Sequence, residues 1–481
     1  MSLLSLLTFL PPVSIGTLLL HLVWSDRNSL PDWLLKLSLG AGLGLGLSSL
    51  LFYLHLTFFP TSSYFLVLEI VILLALAVIA FQRGKTTSHG LIFESASAGF
   101  HALRQDFSPP KWSAEKLSQI ALLAVGILVS AVSFLGLVNY SRQRAYGDWD
   151  AWMIYNRSAR FIFRGGEFWQ DAFSPGMNLV FHADYPPLLA FNIAARWRAL
   201  GAETTFIPMF LGFLFTLAAL GACFSALTYF NSTGQGAFAL VLLSGAQFFM
   251  GEGGRQTADV PLAFFILASI VFLFLREREG REIFTALAAL MAGFAAWTKN
   301  EGLLFVLVSS GIIFLTALWK RSFHDFLFYL AGLLLPLILL FHFKTQVAPS
   351  SEFAGGGLEV LLQKLTDPAR NQMVFGAMSG FLLRGGGWYG VGVFPILAAY
   401  LVLFKTRPIA FPTAVFVSFA ILSAQLIGYY LFYLISPYDL TWHIGYSLNR
   451  LFVHIYPAVV FVVLAAARTP ESVFSLQVKR P

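Results

Sequence analysis

Apolar runs of roughly 17 to 25 residues recur along almost the whole chain, each long enough to cross about 30 Å of hydrocarbon as a helix. A backbone in lipid must satisfy its own N–H and C=O groups, so such runs fold as helices or as strands of a closed barrel. Here they are continuous and rich in Leu, Phe and Ala, without the alternation of a barrel strand. The expected fold is all-α: a polytopic transmembrane helical bundle of about 13 helices, with interfacial helices in the first large outer loop. Composition agrees, since 57% of the 481 residues are hydrophobic and 11% charged, about half the charged share of a soluble domain.

The helices are expected over 3–24, 36–59, 63–81, 118–138, 206–230, 237–250, 259–275, 283–297, 303–319, 325–344, 387–404, 409–435 and 450–467. Residues 1–117 form an N-terminal transmembrane extension with a cytoplasmic loop, 118–467 the main membrane module, and 468–481 a cytoplasmic tail. The first run lacks a basic leader and a small-residue cleavage site and is read as a retained helix. Two long segments, 139–205 and 345–387, lie on the outer side. The short loops carrying Arg276, Arg278 and Arg281, Lys320 and Arg321, and Lys405 and Arg407 share the opposite side with the tail. That side is cytoplasmic by the bias of basic residues toward the inner face.

This topology sends nearly every unusual polar cluster to one compartment. Asp148 and Asp150, His182 and Asp184, Asp259, Lys299 to Glu301, and His443 to Arg450 all emerge outside. The single cysteine, Cys223, sits in an apolar run, which leaves neither a disulfide framework nor a thiolate metal site. The net charge of +7 is spread thinly, so its acidic partners are lipid headgroups or a phosphorylated lipid rather than nucleic acid.

Within the first outer loop, Ala151 to Phe163 has an apolar face of Ala151, Ile154, Tyr155, Ala159 and Ile162 and a basic face of Arg157, Arg160 and Arg164, the pattern of a helix lying on a membrane. Gly165-Gly166 ends it. A second helix begins at Pro186 and runs to Gly201. In the later outer segment, Gly355 to Gly357 and Gly385 to Gly387 punctuate a loop able to order on a ligand.

Carboxylates at a membrane edge can deprotonate an acceptor or hold a divalent cation against a phosphate. Asp148 and Asp150 suit either task, and Asp150 equally suits a helix cap before Ala151. Asp184 before Pro186, and Asp259 before Val260, carry the same two readings. His182 beside Asp184 is half of a metal site at most. Lys299 and Glu301 read either as a local ion pair or as site residues, because ionisable groups in membrane helices are rare and tend to be paired. Arg450, at the outer mouth of the last helix, snorkels to headgroups or clamps a phosphate.

Taken together, these residues resemble the GT-C superfamily of integral-membrane glycosyltransferases, in particular the bacterial branch of protein O-mannosyltransferases and the lipid A aminoarabinose transferase. Asp148-Trp149-Asp150-Ala151-Trp152 is similar to the acidic motif of that family's first periplasmic loop, with Asp150 at the key position. Asp184-Tyr185-Pro186-Pro187-Leu188 is similar to an acidic-Lys-Pro-Pro-Leu segment, with Tyr185 where Lys is common. Ala258 to Leu262 resembles the second-loop acidic motif, Trp297 to Gly302 a Thr-Lys-Gly segment, and Trp442-His443 through Arg450 and Pro457 the late motif that faces the lipid phosphate. The likeness covers residues 126–467.

The resemblance implies inverting transfer of a sugar from a polyprenyl-phosphate donor to a glycan, lipid or protein acceptor at the periplasmic face of a bacterial inner membrane. Asp150, assisted or replaced by Asp148, is then the base. Asp184, Asp259 and His182 orient acceptor or metal, and Arg450, Lys299, Tyr185 and His443 bind the donor phosphate. No organic cofactor is implied; a divalent cation, Mg2+ or Mn2+, would use Asp148, Asp150 and Asp259. A transporter or flippase of lipid-linked glycans is the competing class. It calls for midplane carboxylates and inverted repeats, and no repeat is evident. A non-catalytic scaffold is the third.

Overall fold

The computed structural model describes residues 3–24, 29–86, 114–177, 182–350, 357–387, 391–404 and 411–471. A short turn, Leu3–Leu7, leads into α1 (Leu10–Val23), α2 (Leu30–Phe58), α3 (Phe65–Thr86) and α4 (Ala114–Gln143). The next outer segment holds α5 (Asn156–Gly165) and α6 (Leu188–Leu200). The bundle continues through α7 (Phe206–Phe230), α8 (Thr233–Gly245), α9 (Gln247–Arg255), α10 (Asp259–Glu279), α11 (Ile283–Thr298), α12 (Asn300–Lys320) and α13 (His324–His342). After α14 (Leu358–Thr366) and α15 (Pro368–Arg384) come α16 (Val393–Phe404), α17 (Pro412–Ile435) and α18 (Leu440–Ala466).

Among the described residues, ten helices are long and apolar enough to cross a membrane, or eleven if α8 and α9 count as one broken span. The chain is a multi-pass, all-helical membrane protein. The count falls short of 13 for physical reasons. The helix expected over 237–250 is two, bent by 64° at Ala246, where Gly245 and the glycines of α9 weaken helical propensity. α11 has 16 residues and α16 has 12, below the length for crossing hydrocarbon. Most of α11 is buried against protein, so its length need not match the bilayer.

α10 forms the centre, with 94% of its apolar window buried. Rings from α10 and α11 press into α2: a Cβ on Gly42 would lie 1.9 Å from Phe264, and one on Gly46 would lie 2.5 Å from Phe294. At the periphery, α3 and α4 bury only 11% of theirs and leave Leu74, Leu128 and Leu135 exposed, as lipid-facing helices do.

The expected N-terminal extension is packed into this bundle. Trp297 Nε1 donates to Ser49 Oγ at 2.9 Å, and Tyr53 shares a hydrogen bond with His342 at 2.6 Å. Both loop helices exist, but the second begins at Leu188 rather than Pro186 and does not lie on a surface. It is buried from Leu188 to Trp197. Its Arg196, wholly buried, donates to Glu69 on α3 at 2.7 Å and to Ser48 on α2 at 3.1 Å. α5 buries Ala159 and Ile162, as its pattern requires.

The two ends of the bundle differ. One joins Arg276 to Asp325 at 2.8 Å, Glu277 to the Ala414 N–H at 2.6 Å, and Ser232 to Glu471 at 3.1 Å. The other gathers the polar motifs. There α14 and α15 dock on α17: Arg370 donates to the Leu434 and Tyr433 carbonyls at 3.0 and 3.2 Å, and Lys364 to that of Ser436 at 3.0 Å. These cations satisfy carbonyls that a helix C-terminus leaves open.

Candidate active site

The approach to the site starts at Gly147, whose φ of +75° favours glycine; a Cβ there would also lie 2.6 Å from Ala151 Cβ and from the Arg255 carbonyl. The tight turn lets the Asp148 N–H donate to that carbonyl at 3.1 Å. Asp148 then accepts from Arg144 at 2.6 Å, Arg255 at 3.0 Å and Tyr140 at 3.1 Å. Three residues on, a π-helical turn runs over Ala151–Tyr155, a feature frequent at functional sites.

Asp150 does not cap that turn with its side chain. One carboxylate oxygen accepts from Tyr446 at 3.0 Å, the other from Arg450 Nη1 at 2.7 Å. Arg450 in turn donates through Nε and Nη2 to Asp259, both at 2.9 Å. Asp259 also leaves its helix uncapped by its side chain and accepts from Lys299 at 2.9 Å and His454 at 2.7 Å. Lys299 closes the network on Glu301 at 3.0 Å. Asp259 is fully buried and Arg450 is 9% exposed, so Arg450 does not snorkel from an outer mouth. It is the bridge between two carboxylates inside the protein.

The remaining expected residues lie around this network. Asp184 accepts from Asn300 at 2.9 Å, and Lys344 donates to Asn300 at 2.8 Å and to the Asp184 carbonyl. Its side chain makes no cap bond to α6. His182, at φ +46°, stacks on Tyr185 with ring centroids 5.1 Å apart. His443 bonds Ser436 Oγ at 2.8 Å within rings from Phe432, Tyr433 and Tyr438. It stands two turns before Arg450, about 10 Å along the helix, and is not part of the ion network.

Burial is the main cause that raises the Tyr155 and Tyr185 phenols well above their ordinary range, with nearby carboxylates adding to it. Both stay protonated and can donate at neutral pH. The Tyr155 hydroxyl and Glu301 Oε2 are buried with no hydrogen-bond partner among the described residues, and an unpaired buried polar atom is costly. They give the site unused donor and acceptor capacity. Among the described residues, Asp150, Asp259 and Glu301 pair with two permanent cations, Arg450 and Lys299. An added phosphate therefore needs one of those cations to turn away from a carboxylate.

The acidic set does not fit a divalent cation. Asp150 and Asp259 share Arg450, while Asp148 is held apart by Arg144 and Arg255. No group of three or more His, Cys, Asp or Glu side chains among the described residues could hold a metal ion.

Sequence reasoning missed Tyr446, His454, Tyr155, Asn300 and Lys344. The signal for two of them was present: Tyr446, Arg450 and His454 recur at intervals of four and so share one helical face. Lys344 meets Asp184 across 160 positions, and no local pattern reports that. Comparison with known protein families, curated proteins and solved structures finds no match.

Proposed function

We propose that the chain is a GT-C-type glycosyltransferase that moves a sugar from a polyprenyl-phosphate donor to an acceptor hydroxyl or amine outside the cytoplasm. The observation that carries this reading is the Asp150–Arg450–Asp259 bridge: a candidate base and a candidate phosphate ligand joined by one 2.7 Å contact. Asp259, itself held by Lys299 and His454, fixes Arg450 from behind. Such prior positioning is what a transition state rewards.

The reaction follows from the charges. The acceptor oxygen attacks the anomeric carbon from the face opposite the phosphate while Asp150 takes its proton. The bond from that carbon to the phosphate oxygen breaks, its electron pair stays on the phosphate, and configuration inverts. Protonation removes the charge that holds Arg450 Nη1, which is then free to turn to the phosphate as negative charge builds there. The Asp150 proton finally passes to solvent or to the departing phosphate. The base and the phosphate ligand are both side chains of this protein, and no metal step is needed.

Arg450→Lys tests the phosphate assignment. A Lys keeps the charge but cannot reach a carboxylate and a phosphate at once from a planar fork. Loss of about 2–4 kcal/mol of transition-state stabilisation, or roughly 30-fold to 1000-fold in kcat/KM, is expected. It should fall on kcat as well as donor KM. Wild-type kcat/KM in this variant removes Arg450 from the reaction.

On this reading the site faces the periplasm of a bacterial inner membrane, which the basic short loops at the other end of the bundle support. Cys223 is fully buried, so single cysteines can be introduced beside it. A cysteine at Gln170, exposed in the first loop, should react with an impermeant maleimide in intact spheroplasts. One at exposed Ser322 should react only after lysis. The reverse pattern overturns the placement.

A further inference from the structure

We infer that a cavity of about 420 Å3 beside the ion network is a binding site for an uncharged, hydroxyl-rich ring, a pyranose. It opens between Tyr140 near the end of α4, one face of α9, Gly386 and Gly387, and Asn449 on α18. Its volume lies within the range of about 300–1,000 Å3 found for small-molecule sites, enough for one or two rings and too small for a folded partner.

The wall chemistry selects the ligand. Gln247 is exposed and Asn449 partly buried; both line the cavity, and neither amide has a hydrogen-bond partner among the described residues. Each offers a donor and an acceptor. Glu252, 2% exposed, is paired with Arg255 at 2.6 Å and accepts from Thr257 at 3.4 Å. Arg255 also pairs with Asp148, which Arg144 holds in turn, so two carboxylates and two guanidinium groups balance one another and the wall can give and take hydrogen bonds without demanding an ion. A phosphate would meet the Glu252 carboxylate, and a purely apolar ligand would strand four polar side chains. The rings of Phe248 and Tyr140 complete the lining and offer apolar faces for the C–H side of a sugar. A hydroxyl-rich ring satisfies all of these surfaces together.

Position gives the cavity its use. Asn449 immediately precedes Arg450 on α18, and Glu252 shares Arg255 with Asp148. Tyr140 and Arg255, which hold Asp148, both line the cavity, so a ring seated there lies against the Asp148 cluster, with Asn449 linking it along α18 to Arg450. The donor sugar and an acceptor sugar share this chemistry, and the assignment between them rests on the transferase reading; the binding itself does not.

The test uses full-length protein in phospholipid nanodiscs and saturation-transfer difference NMR. Methyl glucopyranoside, methyl mannopyranoside and methyl galactopyranoside are the probes, with cyclohexylmethanol as the ring lacking ring hydroxyls. At least one glycoside should show saturable transfer, and cyclohexylmethanol none. Gln247→Ala/Asn449→Ala should raise Kd about tenfold or more, and Gln247→Glu/Asn449→Asp, which keeps the volume, should also weaken binding. Asp150→Asn should bind as wild type does. If donor turnover is measurable, a raised donor KM in the double variant marks the donor ring, and a raised acceptor KM marks the acceptor ring. Sugar binding that depends on these residues in a protein with no turnover refutes the transfer reading while upholding the site. No saturable transfer from any glycoside, or affinity unchanged in both folded double variants, overturns the proposal.

Discussion

Asp259→Asn is expected to lower unfolding free energy by about 3–5 kcal/mol, the usual cost of stranding a buried charge. Asp259 is fully buried and is the common acceptor for Arg450, Lys299 and His454. Asn keeps one acceptor oxygen but presents an NH2 group to a shell made of donors, and it leaves two cations without their shared counter-charge. Against a total stability of roughly 5–15 kcal/mol, this should appear as a clear fall in melting temperature and in the yield of folded protein. A melting curve matching wild type would mean that Arg450 and Lys299 are solvated and that the network is not a buried support.

Asp150→Asn should do the opposite, sparing the fold and removing activity. Arg450 keeps Asp259, and Asn can still accept from Tyr446 as Asp150 does at 3.0 Å. What is lost is a base able to take the acceptor proton, a contribution of about 10²- to 10⁴-fold in rate. Turnover of a polyprenyl-phosphate sugar should fall by that factor with the melting temperature nearly unchanged. Asp148→Asn should lose much less, because Asp148 is occupied by Arg144, Arg255 and Tyr140. Near-wild-type turnover by Asp150→Asn would leave Asp150 a structural partner of Arg450 and nothing more.

The helical class was legible because lipid leaves a backbone few choices, and the apolar runs announce it. The number of spans was less legible: a run such as Ile283–Thr298 looks like a membrane helix whether lipid or protein surrounds it. α6 shows the same limit, since its sequence suits an interface and only Arg196 reaching Glu69 reveals an interior position. For the site, residue types on one side of the membrane led to Asp150, Asp259, Lys299 and Arg450, which the fold brings into one network. The capping readings of Asp150, Asp184 and Asp259 were equally reasonable in one dimension. Their side chains cap nothing, because cations from distant helices outcompete local backbone N–H groups. His454 carries no motif of its own in the sequence, and its role, holding Asp259 from the face of α18 that Arg450 shares, comes from the fold.

The central claim is transfer from a lipid-phosphate sugar, and the most direct measurement is donor consumption by the purified protein. Wild type and Asp150→Asn in nanodiscs are incubated with a panel of polyprenyl-phosphate sugars and a cell-envelope acceptor extract, and free polyprenyl phosphate is quantified. The account predicts that wild type releases polyprenyl phosphate from at least one donor, with the sugar recovered on an acceptor in inverted configuration, and that Asp150→Asn releases little. Donors that bind wild type and cross the bilayer of proteoliposomes intact, with no polyprenyl phosphate released, would contradict it and assign the chain to transport.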